Sequence, residues 1–148
     1  MLQARTRSSS DEIVREIRIV ARPETVFQFL IEPERIVLWM GSSATLEPHP
    51  GGIYRIDYDG SDIALGEFIE VMPNERVVFT WGWEAEGAAI GPGESTVEIR
   101  LTADGDGTLL QLRHWGLTPN EVDSHAEGWD YFLPRLEQAL SGARVATS

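Results

Sequence analysis

Thr118-Pro119-Asn120-Glu121-Val122-Asp123-Ser124-His125-Ala126-Glu127-Gly128-Trp129-Asp130-Tyr131-Phe132-Leu133-Pro134-Arg135-Leu136, continued to Leu140, is the stretch that decides the fold. Val122, Ala126, Trp129, Leu133, Leu136 and Leu140 follow one another at spacings of four, three, four, three and four, which places them on one stripe of an α-helix. Thr118 with Glu121 three residues later reads as a capping box, in which the Thr hydroxyl accepts from the Glu121 N–H and the Glu carboxylate reaches back to the Thr118 N–H. Pro119 takes the first helical position, where its missing N–H costs nothing. The helix so defined has about 22 residues and is roughly 33 Å long. Two residues oppose it: Gly128 costs about 1 kcal/mol relative to Ala, and the interior Pro134 about 3. Gly128 is expected to let a strand or short helix come close beside Trp129. Pro134 frees the carbonyl of Asp130 and is expected to bend the helix.

A one-sided helix of this length requires a large apolar partner surface, and the chain upstream has the pattern of one. Ile13, Ile17, Ile19 and Ala21 alternate with polar residues in a strand from about Glu12 to Ala21, interrupted by Arg15 on the apolar side. Pro23-Glu24 opens a short helix carrying Val26, Phe27, Leu30 and Ile31, and Pro33-Glu34 opens a second that runs through Trp39 and stops at Gly41. The period then changes to two. Strands are expected at Ala44 to Glu47, Ile53 to Tyr58, Ile63 to Met72, Arg76 to Trp83, Ser95 to Thr102 and Thr108 to Trp115. Turn residues separate them, Asp59-Gly60 and Asp104-Gly105-Asp106-Gly107 among them. In the strand from Ile63 to Met72 the parity of Ile63, Leu65 and Val71 conflicts with that of Phe68, and a bulge would change the buried side midway. The order is strand, two short helices, about six antiparallel strands and a long helix, an α+β domain whose sheet must curl around that helix.

The chain has 148 residues, enough for one domain: 11–142, flanked by flexible tails at 1–10 and 143–148. Cysteine is absent, which excludes disulfides, thiolate catalysis and Cys-ligated zinc and fits a cytoplasmic location. With 24 acidic against 12 basic residues the net charge is −12, the wrong sign for nucleic acid or an anionic membrane surface. No window carries the roughly 18 apolar residues of a membrane span.

Four segments carry a resemblance to a known family. They are Pro23-Glu24-Thr25-Val26-Phe27 with Pro33-Glu34-Arg35 and Trp39; Gly51-Gly52-Ile53-Tyr54-Arg55; the run from Gly66 to Trp81 that contains Met72-Pro73-Asn74-Glu75-Arg76; and His125-Ala126-Glu127-Gly128-Trp129 with Leu133 and Leu136 behind it. In order and spacing they resemble the family named after the C-terminal domain of the activator of heat-shock protein 90 ATPase, within the START-like, Bet v 1-like (SRPBCC) superfamily. The resemblance implies the helix-grip fold, a curved antiparallel sheet wrapped around the C-terminal helix. Relatives across the superfamily bind lipids, hormones or polyketides between sheet and helix, and some catalyse cyclisation or dehydration.

The aromatic residues are the candidates for a ligand cavity of that kind, since Tyr and Trp combine an apolar body with a polar tip. The expected lining is Trp39, Tyr54, Tyr58, Phe79, Trp81, Trp83, His125, Trp129, Phe132 and Leu133. Core filling is the competing role for each ring. His49 falls in a Pro-rich turn, His114 on the Leu110/Leu112 face of the last strand, and His125 one turn before Trp129. No single element presents a metal-ligand set, and no nucleophile–base pair, phosphate loop or cofactor fingerprint is present, so neither metal, cofactor nor catalytic residue is expected. The expected function is non-enzymatic binding of a small apolar ligand. A cyclase/dehydratase-type enzyme using the same cavity, and a co-chaperone-like interaction module of the stress response with a chaperone partner, are the alternatives. A monomer or homodimer is expected.

Overall fold

A computed structural model describes residues 12–85 and 87–147, with side chains described through Ser141. The expected N-terminal tail, residues 1–10, lies outside the described residues. The chain forms β1 (Ile13–Ile19), α1 (Pro23–Ile31), α2 (Pro33–Ile36), β2 (Ser43–Leu46), β3 (Ile53–Asp57), β4 (Ile63–Met72), β5 (Arg76–Trp81), β6 (Ser95–Asp104), β7 (Gly107–Trp115) and α3 (Pro119–Thr147). The strands make one curved, open antiparallel sheet in the order β1-β7-β6-β5-β4-β3-β2. The α+β helix-grip architecture expected from the sequence is the one observed.

Hairpin connections place β2 to β7 side by side, and the first strand closes on the last: Ile13 lies opposite His114 and Ile17 opposite Leu110. The apolar parity of each strand forms the inner face. Leu110 and Leu112 of β7, Val97, Ile99 and Leu101 of β6, and Val77, Phe79 and Trp81 of β5 are all buried. Tyr54 of β3 stacks on Phe79 at 3.9 Å between centroids, and the edge of Phe68 meets it at 5.6 Å. The register shifts between Phe68 and Glu70. This bulge settles the ambiguous strand: Ala64 and Phe68 face the core, Ile69 is exposed, and Val71 packs against the core again beyond the shift.

On the outer face a line of alternating charge crosses five strands. Glu12 pairs with Arg113, Arg113 and Arg76 both pair with Glu98, and Arg76 also pairs with Glu70. Glu98 is buried by the two arginines beside it and their neighbours, which is tolerable because its charge is matched.

The α3 stripe packs as its spacing predicts: Trp129, Leu133, Leu136 and Leu140 are buried, and Val122 and Ala126 are partly so. Each fully buried leucine contributes about 1.5–3 kcal/mol. Three expectations about this helix change. It continues to Thr147, through most of the segment expected to be a tail. The capping box does not form. The Thr118 hydroxyl donates to Asn120 Oδ1 at 3.0 Å, and the Glu121 N–H goes to the Thr118 carbonyl at 2.9 Å, leaving the Glu121 side chain turned toward His125. A Cβ on Gly128 would meet nothing within 4 Å, so no element approaches there. Pro134 is exposed, as is Asp130, whose freed carbonyl is thus on the side open to water.

The close backbone approach occurs instead at Gly82, just after β5. A Cβ there would lie 1.6 Å from the Gly91 carbonyl oxygen. This contact lets the Leu65 N–H reach the Gly82 carbonyl and the Trp83 N–H reach the Ile90 carbonyl, each at 2.8 Å, which fixes Trp83 beyond the strand end. Gly82→Ala forces backbone from backbone. It is expected to lower the free energy of unfolding by about 2–3 kcal/mol in urea titration, with Trp83 the first fluorophore displaced.

Candidate functional site

Two histidines join α3 to the sheet, and hydrogen-bond chemistry fixes the tautomer of each. An indole N–H only donates. The Trp129 Nε1–H meets His114 Nδ1 at 3.0 Å, so that nitrogen is the acceptor and Nε2 carries the proton. The Nε2–H donates to Ser95 Oγ at 2.9 Å, and the Ser95 hydroxyl donates to the Trp81 carbonyl at 2.7 Å. Every proton in this relay has one acceptor. His114 is fully buried, and burial first, with nearby His125 second, pushes its pKa down to about 3. At the other site the Trp83 Nε1–H donates to His125 Nε2 at 3.0 Å, while His125 Nδ1–H donates to the Glu121 carbonyl at 2.8 Å.

Two further ties hold the helix. Arg15 makes two hydrogen bonds to the Asp130 carboxylate, at 2.6 and 3.2 Å. This explains the arginine that interrupts the apolar side of β1: it reaches from the sheet edge to the helix. Arg135 Nε donates to the Trp39 carbonyl at 3.3 Å. Asp130 is held below the usual carboxylate range by its bonds to Arg15.

Between these ties the helix and the sheet border a half-open pocket of about 380 Å³. Six of the expected lining residues border it: Tyr58, Trp81, Trp83, His125, Trp129 and Phe132. Trp39, Tyr54, Phe79 and Leu133 do not. They are buried in the core instead, Trp39 with its indole N–H bonded to the Phe29 carbonyl at 2.9 Å. Met40, Asp62, Glu121, Ser124 and Gly128 complete the wall. The signal for two of these, Glu121 and Gly128, was present in the helix itself. Glu121, His125, Gly128 and Phe132 recur at four, three and four, one residue ahead of the core stripe. That is a second face adjoining the first.

The empty space at the Gly128 Cβ position is part of the pocket wall. The mouth carries the exposed residues Asp62 and Ser124. Burial pushes the Tyr58 phenol up, so it stays neutral. Trp81 Nε1 is the one buried side-chain nitrogen or oxygen without a hydrogen-bond partner among the described residues. Its ring neighbours are the rings of Tyr54, Phe79, Trp83, His114 and Trp129. Among the described residues no group of three or more His, Asp or Glu is placed to hold a metal ion, and no helix is long and apolar enough to cross a membrane.

The family model for Activator of Hsp90 ATPase homolog 1-like protein matches residues 20–141. Among solved structures, the chain is similar to protein MLL2253 from Mesorhizobium loti, at 27% identity and a TM-score of 0.79, over 88% of this chain and 96% of that one. It is 41% identical to an AHSA1-like protein from Rhizobium etli, at a TM-score of 0.67, over 85% of this chain and 79% of that one. CalU16 from Micromonospora echinospora is 25% identical at a TM-score of 0.72, over 91% of this chain and 79% of that one. No curated protein matches the sequence.

The neutral His114 gives the site a pH signature. In the unfolded chain a histidine takes up its proton near pH 6.5, whereas the native His114 resists until about 3. Above pH 6.5 neither state is charged and the group contributes no pH dependence. Below it the unfolded state binds the extra proton, and stability falls by about 1.4 kcal/mol per pH unit until the native pKa is reached. Urea unfolding at pH 7 and pH 5 is expected to show about 2 kcal/mol more loss in the wild type than in His114→Gln, whose carboxylates titrate equally. Parallel losses in the two proteins would show that His114 is not held neutral.

Proposed function

We infer the function from one premise: the chain belongs to the Activator of Hsp90 ATPase homolog 1-like family. Within that family's fold the protein binds a small, largely apolar ligand in the pocket between α3 and the sheet, without transforming it. The observation that carries this reading is the helix wall at Gly128. A glycine in a helix interior costs about 1 kcal/mol relative to Ala, and here no backbone approach or turn requires it. What its missing side chain leaves is space, in a half-open pocket walled by Tyr58, Trp81, Trp83, Trp129 and Phe132. A pocket of about 380 Å³ falls within the range of small-molecule sites.

Binding is favoured over catalysis by the state of the ionisable groups. Both ring nitrogens of His125 are engaged, one with Trp83 and one with the Glu121 carbonyl, so neither is free to take a substrate proton. His114 is sealed in its relay behind Trp129. The Asp62 carboxylate stands at the exposed mouth of the pocket.

The test separates helix propensity from pocket volume. Gly128→Ala is expected to raise the unfolding free energy by up to about 1 kcal/mol. Gly128→Leu keeps the fold and fills the space. Titration with the neutral fluorophore N-phenyl-1-naphthylamine is expected to show one saturable site in the wild type, weakened on the order of tenfold or more in Gly128→Leu, as about two buried methylenes' worth of volume is lost. No binding to the wild type, or equal binding to both, contradicts the reading.

A further inference from the structure

The pocket has a charge character that its apolar walls do not dictate. Five aromatic rings face it, two carboxylates stand at it, and among the described residues no arginine borders it. All twelve basic residues of the chain are arginines. Those nearest in the fold are turned to other work: Arg15 to Asp130, Arg55 to Glu84, and Arg135 to the Trp39 carbonyl and the Tyr131 ring. Asp62 has no ion-pair partner among the described residues, and the only charge-type contact of Glu121 is a distant one to His125, at 3.9 Å. The N-terminal end of α3 would by itself favour an anion. Glu121 in its first turn and Asp62 on the β3–β4 turn reverse that local sign. The net charge of −12 adds to the same field.

We propose that the pocket selects an apolar molecule bearing an amine or quaternary ammonium group, seated with its apolar body between Trp81, Trp129 and Phe132 and its cation near Asp62 and Glu121. This rests on the reading of the pocket as a ligand site. The physical basis is that ring faces attract a cation while costing it little hydration at a half-open mouth. A carboxylate in the same place would face two carboxylates with no cationic partner among the described residues; the Ser124 hydroxyl already donates to the Glu121 carbonyl, which leaves the Tyr58 phenol and the indole N–H of Trp81 as donors. Fatty acids and other anionic lipids are therefore the disfavoured class.

The probes are three molecules with one chain and three charges: decyltrimethylammonium, decanol and decanoate, each below its micelle concentration. They compete with N-phenyl-1-naphthylamine at 0.15 M salt, where the long-range field of the surface is largely screened. Decyltrimethylammonium is expected to displace the fluorophore at a concentration on the order of tenfold below decanoate, with decanol between them. The Asp62→Asn/Glu121→Gln double variant is expected to bring the three within about threefold of one another while decanol affinity holds. Gly128→Leu should weaken the cation as it weakens the fluorophore.

Decanoate binding as tightly as the cation overturns the charge preference and leaves the pocket reading standing, as does a preference unchanged in the double variant. Cation binding that survives Gly128→Leu places it on the acidic surface and overturns the proposal. If the fluorophore itself fails to bind the wild type, the pocket reading falls and the proposal with it.

Discussion

The structure depends on a buried hydrogen bond between two residues that the sequence places 15 apart: the Trp129 indole donating to His114. Apolar packing alone would draw an amphipathic helix flat against a sheet until the space between them is filled. A directional bond has a set length. At Trp129 and again at His125 the helix is held by indole–imidazole pairs at 3.0 Å, and Arg15 and Arg135 add ties on either side. Beyond these points Leu133, Leu136 and Leu140 bury themselves fully, and the C-terminal half of the grip is a filled core. Before them, Glu121, Ser124 and Gly128 offer little to fill the gap, and the pocket persists. The relay through Ser95 to the Trp81 carbonyl is what lets an imidazole be buried at all, because each of its polar atoms is satisfied.

The fold was legible because its signals are periodic. Spacings of four and three in the last helix, and of two in the strands, survive without knowledge of tertiary contacts. The site was legible only in part, and the reason is geometric. Tyr54, Phe79, Trp81 and Trp83 share one strand-face parity, yet only the two tryptophans border the pocket. Parity separates inside from outside but does not say how far along the sheet the helix lifts away. Trp39 and Leu133 fail for the same reason: they are inside, in the filled part. Arg15 looked like a defect in an apolar side until its partner Asp130 was in place. The capping box shows the converse. Thr118 and Glu121 have the right spacing, but tertiary contacts draw the Glu121 side chain to the pocket and His125, and the local motif gives way.

The division of labour between the two faces of the sheet bears on function. Outside, one row of charge is paired from Glu12 through Arg113, Glu98 and Arg76 to Glu70. Inside, among the described residues, Trp81 Nε1 is the one fully buried side-chain nitrogen or oxygen without a partner. Two further carboxylates, Asp62 and Glu121, lie at the mouth of the pocket. On the proposed reading, a charged ligand group would be met there at little desolvation cost, since carboxylates at the mouth stay wet in its absence. The glycine at 128 costs the helix stability at a wall position where a Cβ would meet nothing within 4 Å.

The central claim is that two neutral histidines in fixed, opposite tautomers hold the helix off the sheet. Nitrogen-15 correlation spectra of the histidine rings at pH 7 test it most directly. The account predicts His114 with its proton on Nε2 and His125 with its proton on Nδ1, each a single tautomer with the other nitrogen shifted as a hydrogen-bond acceptor. A charged His114, the reverse tautomers, or rapid averaging between tautomers at either ring would contradict it.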